Sequence, residues 1–206
     1  MRTKQVSIYT FDELSDAAKE TARDRCREGI EADDIANYDD WQSVAAILGI
    51  EFDTGGGARR DPSIYWSASC RQGDGASFEG VYRYAKGASA KIRRYAPEDT
   101  ELHRIADTLQ AAQKARFYSL RAHISRGYLS NFYRHSGTMS VDVFDARDDY
   151  RDIGEAEAVI QDEMRAFADW IYGQVLAQTK YLNSDESVEE SIHANEYEFY
   201  EAGSCA

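Results

Sequence analysis

The stretch Ser63–Tyr84, SIYWSASCRQGDGASFEGVYRY, constrains the fold of this chain more than any other. Two runs of strand-forming residues flank Arg71-Gln72-Gly73-Asp74-Gly75, a turn cluster whose glycines tolerate φ > 0. In the first run Ile64, Trp66, Ala68 and Cys70 share one face, and Ser63, Tyr65, Ser67 and Ser69 share the other. In the second, Ala76, Phe78, Gly80, Tyr82 and Tyr84 alternate with Ser77, Glu79, Val81 and Arg83. A period of two predicts an antiparallel hairpin with one buried face.

Around that hairpin the periodicity changes repeatedly. Lys4–Tyr9 reads as a first strand, Thr10 to Glu13 as a capping box with Ser15 as a second N-cap, and Leu14, Ala18, Ala22 and Cys26 as a helical stripe ending near Gly29. Glu31–Asp40 is acidic and expected to be irregular. Trp41, Val44, Ala45 and Leu48 mark a second helix that stops at Gly49, with Ile50–Asp53 a strand behind it. Thr54–Pro62 (TGGGARRDP) is a loop, since three successive glycines favour no regular element; it lacks the GKS/T ending of a phosphate loop. Lys86–Tyr95 reads as a short edge strand, and Pro97 and Asp99 introduce a helix carrying Leu102, Ile105, Leu109 and Ala112. Phe117–Ser125 and Met139–Phe144 alternate again, joined by the aromatic, basic connection Arg126–Thr138, whose length points to function. The longest helix is expected over Gly154–Ser184, with Ile160, Met164, Phe167, Ile171 and Val175 lying across the hairpin. An acidic helix at Asp185–Ala194 and a strand at Glu196–Tyr200 follow.

Strands and helices thus intersperse without a βαβ rhythm. The expected class is α+β, a mostly antiparallel sheet covered on one face by helices. The 206 residues, 43% apolar and 30% charged, suit a single domain over residues 1–206, with acidic helical ends around a basic, β-rich middle at about 59–145. No apolar run approaches the ~20 residues of a membrane span, so no membrane association is expected. The opening MRTKQVSIYT has no apolar signal segment. Cys26, Cys70 and Cys205 are odd in number and lack a CxxC pair, which predicts reduced thiols in a cytoplasmic protein, without zinc or a disulfide framework.

Charge is distributed unevenly. The formal net charge is −13, yet Arg59–Arg134 holds 14 Lys/Arg against 7 Asp/Glu, leaving 10 against 30 for the remainder. A strongly acidic balance speaks to partners rather than to fold.

Four stretches together, Tyr9–Lys19 (YTFDELSDAAK), Gln72–Gly80 (QGDGASFEG), Gly127–Met139 (GYLSNFYRHSGTM) and Asn195–Gly203 (NEYEFYEAG), resemble a widespread family of uncharacterised phage and prophage proteins. Tyr200-Glu201-Ala202 departs from the Thr-Glu-Asp of that pattern. The resemblance implies a mobile-element context, hence the cytoplasm of a bacterial host, and carries no activity or catalytic residue.

Chemistry has to be sought residue by residue. Gln72 and Asp74 lie in a glycine-lined turn where amides could meet an anion or Asp74 a cation. The alternative is that Asp74-Gly75 forms a primed turn with the carboxylate on its own backbone. His123-Ile124-Ser125 matches half of a two-histidine phosphodiesterase pattern whose second copy would be His135-Ser136-Gly137, with Gly where Ser or Thr belongs. No hydrolase elbow, HExxH or zinc spacing occurs, so neither catalysis nor a cofactor nor a metal is expected.

Two binding readings follow. Acidic positions Asp33, Asp34, Asp39, Asp40, Asp148, Asp149, Glu186, Glu189 and Glu190 could present a phosphate-like field to a host protein, such as a basic nucleic-acid-binding protein, and so inhibit host defence or regulation. Alternatively, Arg71, Gln72, Asp74, Arg126, Tyr133, Arg134 and His135 line one cleft that holds a nucleotide or RNA, by stacking and phosphate contacts.

Overall fold

The computed structural model describes residues 6–55, 61–69, 71–127, 132–148 and 152–206. Cys70, Tyr128 and Asp149, and most of the glycine-rich loop, lie outside these described residues. The chain divides into two compact units, one made of residues 1–36 and 175–206 and the other of residues 37–174.

In the first unit a short strand β1 (Tyr9–Thr10) leads into a 3-10 turn at Phe11–Glu13. Thr10 and Glu13 close the expected capping box, with the Thr10 N–H donating to Glu13 Oε2 at 2.8 Å. Ser15 then caps α1 (Asp16–Arg27), accepting from the Ala18 N–H. One helical turn, α2 (Ala32–Ile35), forms inside the acidic stretch expected to be irregular. The Asp34 carboxylate accepts the Glu31 N–H at 2.8 Å and satisfies a donor that would otherwise fray the turn. Phe11, Leu14, Ala18 and Ala22 pack with Val188, Ile192 and Phe199 into one apolar cluster. Val188 and Ile192 belong to α7 (Asp185–Ala194), which has the bounds its acidic sequence predicts, and Phe199 to β8 (Glu198–Phe199), antiparallel to β1.

The second unit holds a four-stranded antiparallel sheet in the order β2 (Ile50–Phe52), β5 (Gly80–Arg83), β6 (Leu120–Arg126), β7 (Met139–Asp145). Ile50, Tyr82, Leu120, Ala122, Ile124, Met139 and Val141 are buried on one face, while Glu51, Arg83, Arg121, His123, Ser140 and Asp142 are exposed on the other. A one-residue slip would exchange the two sets, so the alternation fixes the register. The covered face meets α3 (Tyr38–Leu48), α5 (Thr100–Ala115) and the first part of α6 (Glu155–Leu182), while α4 (Ala88–Tyr95) packs against α3 and α5, giving the α+β class. Ile160, Met164, Phe167 and Ile171 of α6 are fully buried, as the helical spacing requires, and Val175 is buried too. Phe167 lies 5.8 Å edge-on from Phe78 and stacks on Phe52 at 6.3 Å and on Trp170 at 5.6 Å.

The hairpin forms, with one change. Strands β3 (Ile64–Ser67) and β4 (Gly75–Phe78) pair in the register Ile64↔Phe78 and Trp66↔Ala76, as a separate two-stranded ribbon. The second run breaks at Glu79, whose N–H donates to Ser63 O while Asp53 donates to Glu79 O, and β5 continues in the larger sheet. Two further expectations fail. In Lys86–Tyr95 the chain turns at Lys86-Gly87 and is helical from Ala88, because Ala88 and Ile92 bury one face at i, i+4 and the charges spread over the rest. Phe117 and Tyr118 do not begin a strand. Both have positive φ (54° and 61°) and terminate α5, with the Tyr118 N–H donating to Gln113 O. The buried Gln113 amide then joins the end of α5 to β6, donating to Leu120 O at 2.8 Å and accepting the Leu120 N–H at 3.2 Å.

Candidate arginine and tyrosine site

The β3–β4 connection is held by its own side chains. Asp74 Oδ1 accepts the Ser67 hydroxyl at 2.6 Å and the Ser69 hydroxyl at 3.1 Å, and Oδ2 accepts the Arg71 N–H at 3.0 Å. These donors, Ser67 foremost, hold the Asp74 carboxyl below the usual carboxylate range. The Asp74 N–H closes the turn on Arg71 O at 3.2 Å, with Gly73 third in the turn at φ 96°. The connection is therefore longer than a two-residue primed turn, and the Asp74 carboxylate organises the loop. Arg71 and Gln72 are exposed at its tip.

Against this turn lies the end of the long connection from β6 to β7. The Arg134 N–H donates to Gly73 O at 2.8 Å. A Cβ on Gly73 would stand 2.0 Å from Tyr133 Cδ1, and one on Gly75 would stand 2.4 Å from His135 Cα. Only glycine permits that approach. The two internal stretches that carried the resemblance thus meet in space, QGDG against YRHSG. The two outer ones meet in the other unit, where Tyr9 pairs with Phe199.

On the hairpin face that carries Ser77, Tyr65 collects both arginines, with Arg126 Cζ 3.7 Å and Arg134 Cζ 5.8 Å from its ring centroid. Glu79 accepts the Tyr65 hydroxyl at 2.9 Å and the Arg126 N–H at 3.3 Å. Burial, and then the charge of Arg134, push the Arg126 guanidinium below its ordinary value, partly offset by Tyr65. Ser77, opposite Tyr65 in the register, has a buried hydroxyl with no hydrogen-bond partner among the described residues. Tyr133 and His135 are in ring contact at 5.8 Å, and the His135 imidazole folds over Gly137. His135 precedes a 3-10 turn at Ser136–Thr138 and lies on no strand, while His123 is on the exposed face of β6. The paired histidines of a phosphodiesterase are therefore not assembled on facing strands.

Of the sequence-derived binding residues, Arg126, Tyr133, Arg134 and His135 come together with the Gly73–Gly75 turn and Asp74. Tyr65 and Glu79 complete the cluster and were not anticipated. Their signal was the polar alternate face of the hairpin, Tyr65 with Ser67 and Ser77 with Glu79, too polar for a face turned only to the core. The acidic positions are scattered and partly engaged. In the first unit Asp33, Glu186 and Glu190 are exposed, Asp34 caps α2, and Glu189 accepts Arg23 Nε at 2.8 Å. In the second Asp39 and Asp148 are exposed and Asp40 accepts the Tyr95 hydroxyl at 2.6 Å. Among the described residues no group of three or more His, Cys, Asp or Glu could hold a metal, and no helix is long and apolar enough to cross a membrane.

Fold and site define an α+β protein that presents a paired-arginine cluster on a glycine-turned hairpin. The family model of a domain of unknown function, DUF8835, matches residues 35–185, and the chain belongs to that family. The matched span contains the whole cluster. No curated protein and no solved structure matches the chain.

Proposed function

We propose that the chain is a binding module for phosphate-bearing ligands with an aromatic base, nucleotides or short single-stranded RNA, held at the hairpin cluster. The observation that carries this reading is the gathering of Arg126 and Arg134 over one tyrosine, with Tyr133 and His135 beside them. Bringing two guanidiniums together is electrostatically unfavourable, and an arriving phosphate relieves that cost through charge-assisted hydrogen bonds. Aromatic rings beside the phosphate contacts supply stacking that any base can use. The net charge of −13 weakens long-range attraction. At physiological ionic strength, however, charges beyond about 8 Å are largely screened, so the local field governs. Thermal-shift measurements against nucleotides and short RNAs test the reading. A ligand at 100 times its Kd stabilises by about 2.7 kcal/mol, whereas no stabilisation by any of them would overturn it.

A second reading rests on the unit formed by 1–36 and 175–206, which carries 7 Lys/Arg against 16 Asp/Glu, net −9. In the mobile-element setting implied by the resemblance, its exposed carboxylates suit a basic host protein in the bacterial cytoplasm, whose defence or regulatory role the contact would inhibit. A pull-down from host lysate at low and high salt checks this. Recovery of no protein at either salt would exclude it.

A further inference from the structure

A second chemical feature lies in the other unit and is independent of the arginine cluster. Cys26 sits in the last turn of α1 and packs against the Phe11–Phe199 core. Cys205 forms a backbone bridge with Phe199 of that same core. The segment that carries Cys205 is folded back on β8 by three main-chain bonds: Tyr200 N–H to Ser204 O at 2.9 Å, Gly203 N–H to Tyr200 O at 2.8 Å and Ala206 N–H to Glu198 O at 2.9 Å. Both cysteines line one cleft of about 620 Å³, with Gly29, Ile30, Val188 and Tyr197 among its walls. They differ in access: Cys205 is exposed and Cys26 half-buried. Burial, with a smaller electrostatic contribution from Cys205, pushes the Cys26 thiol up.

We propose that Cys26 and Cys205 form a peroxide-responsive dithiol site in which Cys205 is oxidised first and Cys26 resolves it into an intramolecular disulfide. The exposed Cys205 thiol gives up its proton and attacks one peroxide oxygen: the S–O bond forms, the O–O bond breaks, and the departing hydroxide takes that proton as water, leaving a sulfenic acid. The Cys26 sulfur then gives up its proton and attacks Cys205 Sγ. The S–S bond forms, the S–O bond breaks, and the departing hydroxide takes the proton as a second water. Two thiols lose two electrons and two hydrogens, and hydrogen peroxide is reduced to two waters. Cys26 is half-buried and Cys205 exposed, so peroxide reaches Cys205 first, which sets the order. The bridge would tie the segment after β8 to the end of α1.

Hydrogen peroxide titration of the full chain carrying Cys70→Ser tests this. The expected result is loss of both thiols in the monomer, a crosslinked peptide pair containing Cys26 and Cys205, and full reversal by dithiothreitol. The Cys26→Ser variant should stop at a Cys205 sulfenic acid that dimedone traps, and oxidation should slow amide exchange in the segment after β8. A disulfide requires Cα atoms within about 7 Å, so bridge formation reports the closeness of the pair directly. Trapping of the Cys205 sulfenic acid in the presence of a free Cys26, or bridging only between molecules, would overturn the proposal.

Discussion

The two units put the same side chain to opposite use. In the unit of residues 1–36 and 175–206, Arg23 lies among carboxylates, donating to Glu189 at 2.8 Å and to Glu20 at 2.5 Å, and its pKa rises, chiefly through the Glu189 bond. Arg27 likewise pairs with Asp24 at 2.7 Å and with Asp185. In the unit of residues 37–174, Arg126 is pushed the other way, by burial and by Arg134, over a shared tyrosine. An arginine inside a carboxylate network gains little from another anion. Arg126 has the Glu79 carboxylate nearby, and it is the charge of Arg134 beside it that an added anion would offset. The difference separates arginines held by neighbouring carboxylates from a pair gathered over one tyrosine.

The largest effect is expected from Phe167→Ala, which removes a fully buried ring from between Phe52, Phe78 and Trp170. It should cost ~3–5 kcal/mol, read as a lower denaturation midpoint at unchanged slope. A change within about 0.5 kcal/mol would place the ring at a surface instead. Gly75→Ala forces a methyl into the His135 backbone at a glycine-type φ of 152°, and should cost about 1–3 kcal/mol while displacing the 133–135 segment. Undisturbed stability and ligand affinity in this variant would show that the turn and the arginine segment do not depend on one another. Arg23→Ala should cost only about 0.2–1 kcal/mol, less at high salt, since Glu20 is exposed and Glu189 remains in contact with solvent.

The smallest effect concerns Asp74. Its folded-state pKa is depressed, mainly by Ser67, so its contribution is complete above the unfolded value of about 3.9 and is lost as pH falls through the lower folded value. Asp74→Asn should remove that part of the acid limb of the stability profile. Superimposable profiles below about pH 4 would show that the carboxylate does not organise the turn.

Legibility in the sequence followed periodicity. The caps at Thr10, Ser15 and Asp99, the stripe on α6 and the alternation of β6 and β7 are local patterns, and each leads to the observed element. Lys86–Tyr95 was ambiguous because a short run with few apolar residues satisfies either period, and packing of Ile92 decides for the helix. The split of the hairpin at Glu79 was hidden because the alternation runs on unchanged through β4 and β5, while the change of partner strand is a tertiary event. In the site, the turn residues and the Arg126–His135 segment were visible as composition. Tyr65 and Glu79 were not, since their role arises only from the register Tyr65↔Ser77 and from the connection folding back onto it.

The most direct test of the account is calorimetric titration of a short single-stranded RNA, at low salt, into the wild type, Arg134→Ala and Arg23→Ala. A charge-assisted hydrogen bond is worth about 1.5–3 kcal/mol, so Arg134→Ala should bind about ten- to a hundredfold more weakly with an unchanged fold. Arg23→Ala, whose guanidinium belongs to the carboxylate network, should match the wild type. Equal affinity in all three proteins, or loss in Arg23→Ala alone, would contradict the assignment of ligand binding to the arginine pair.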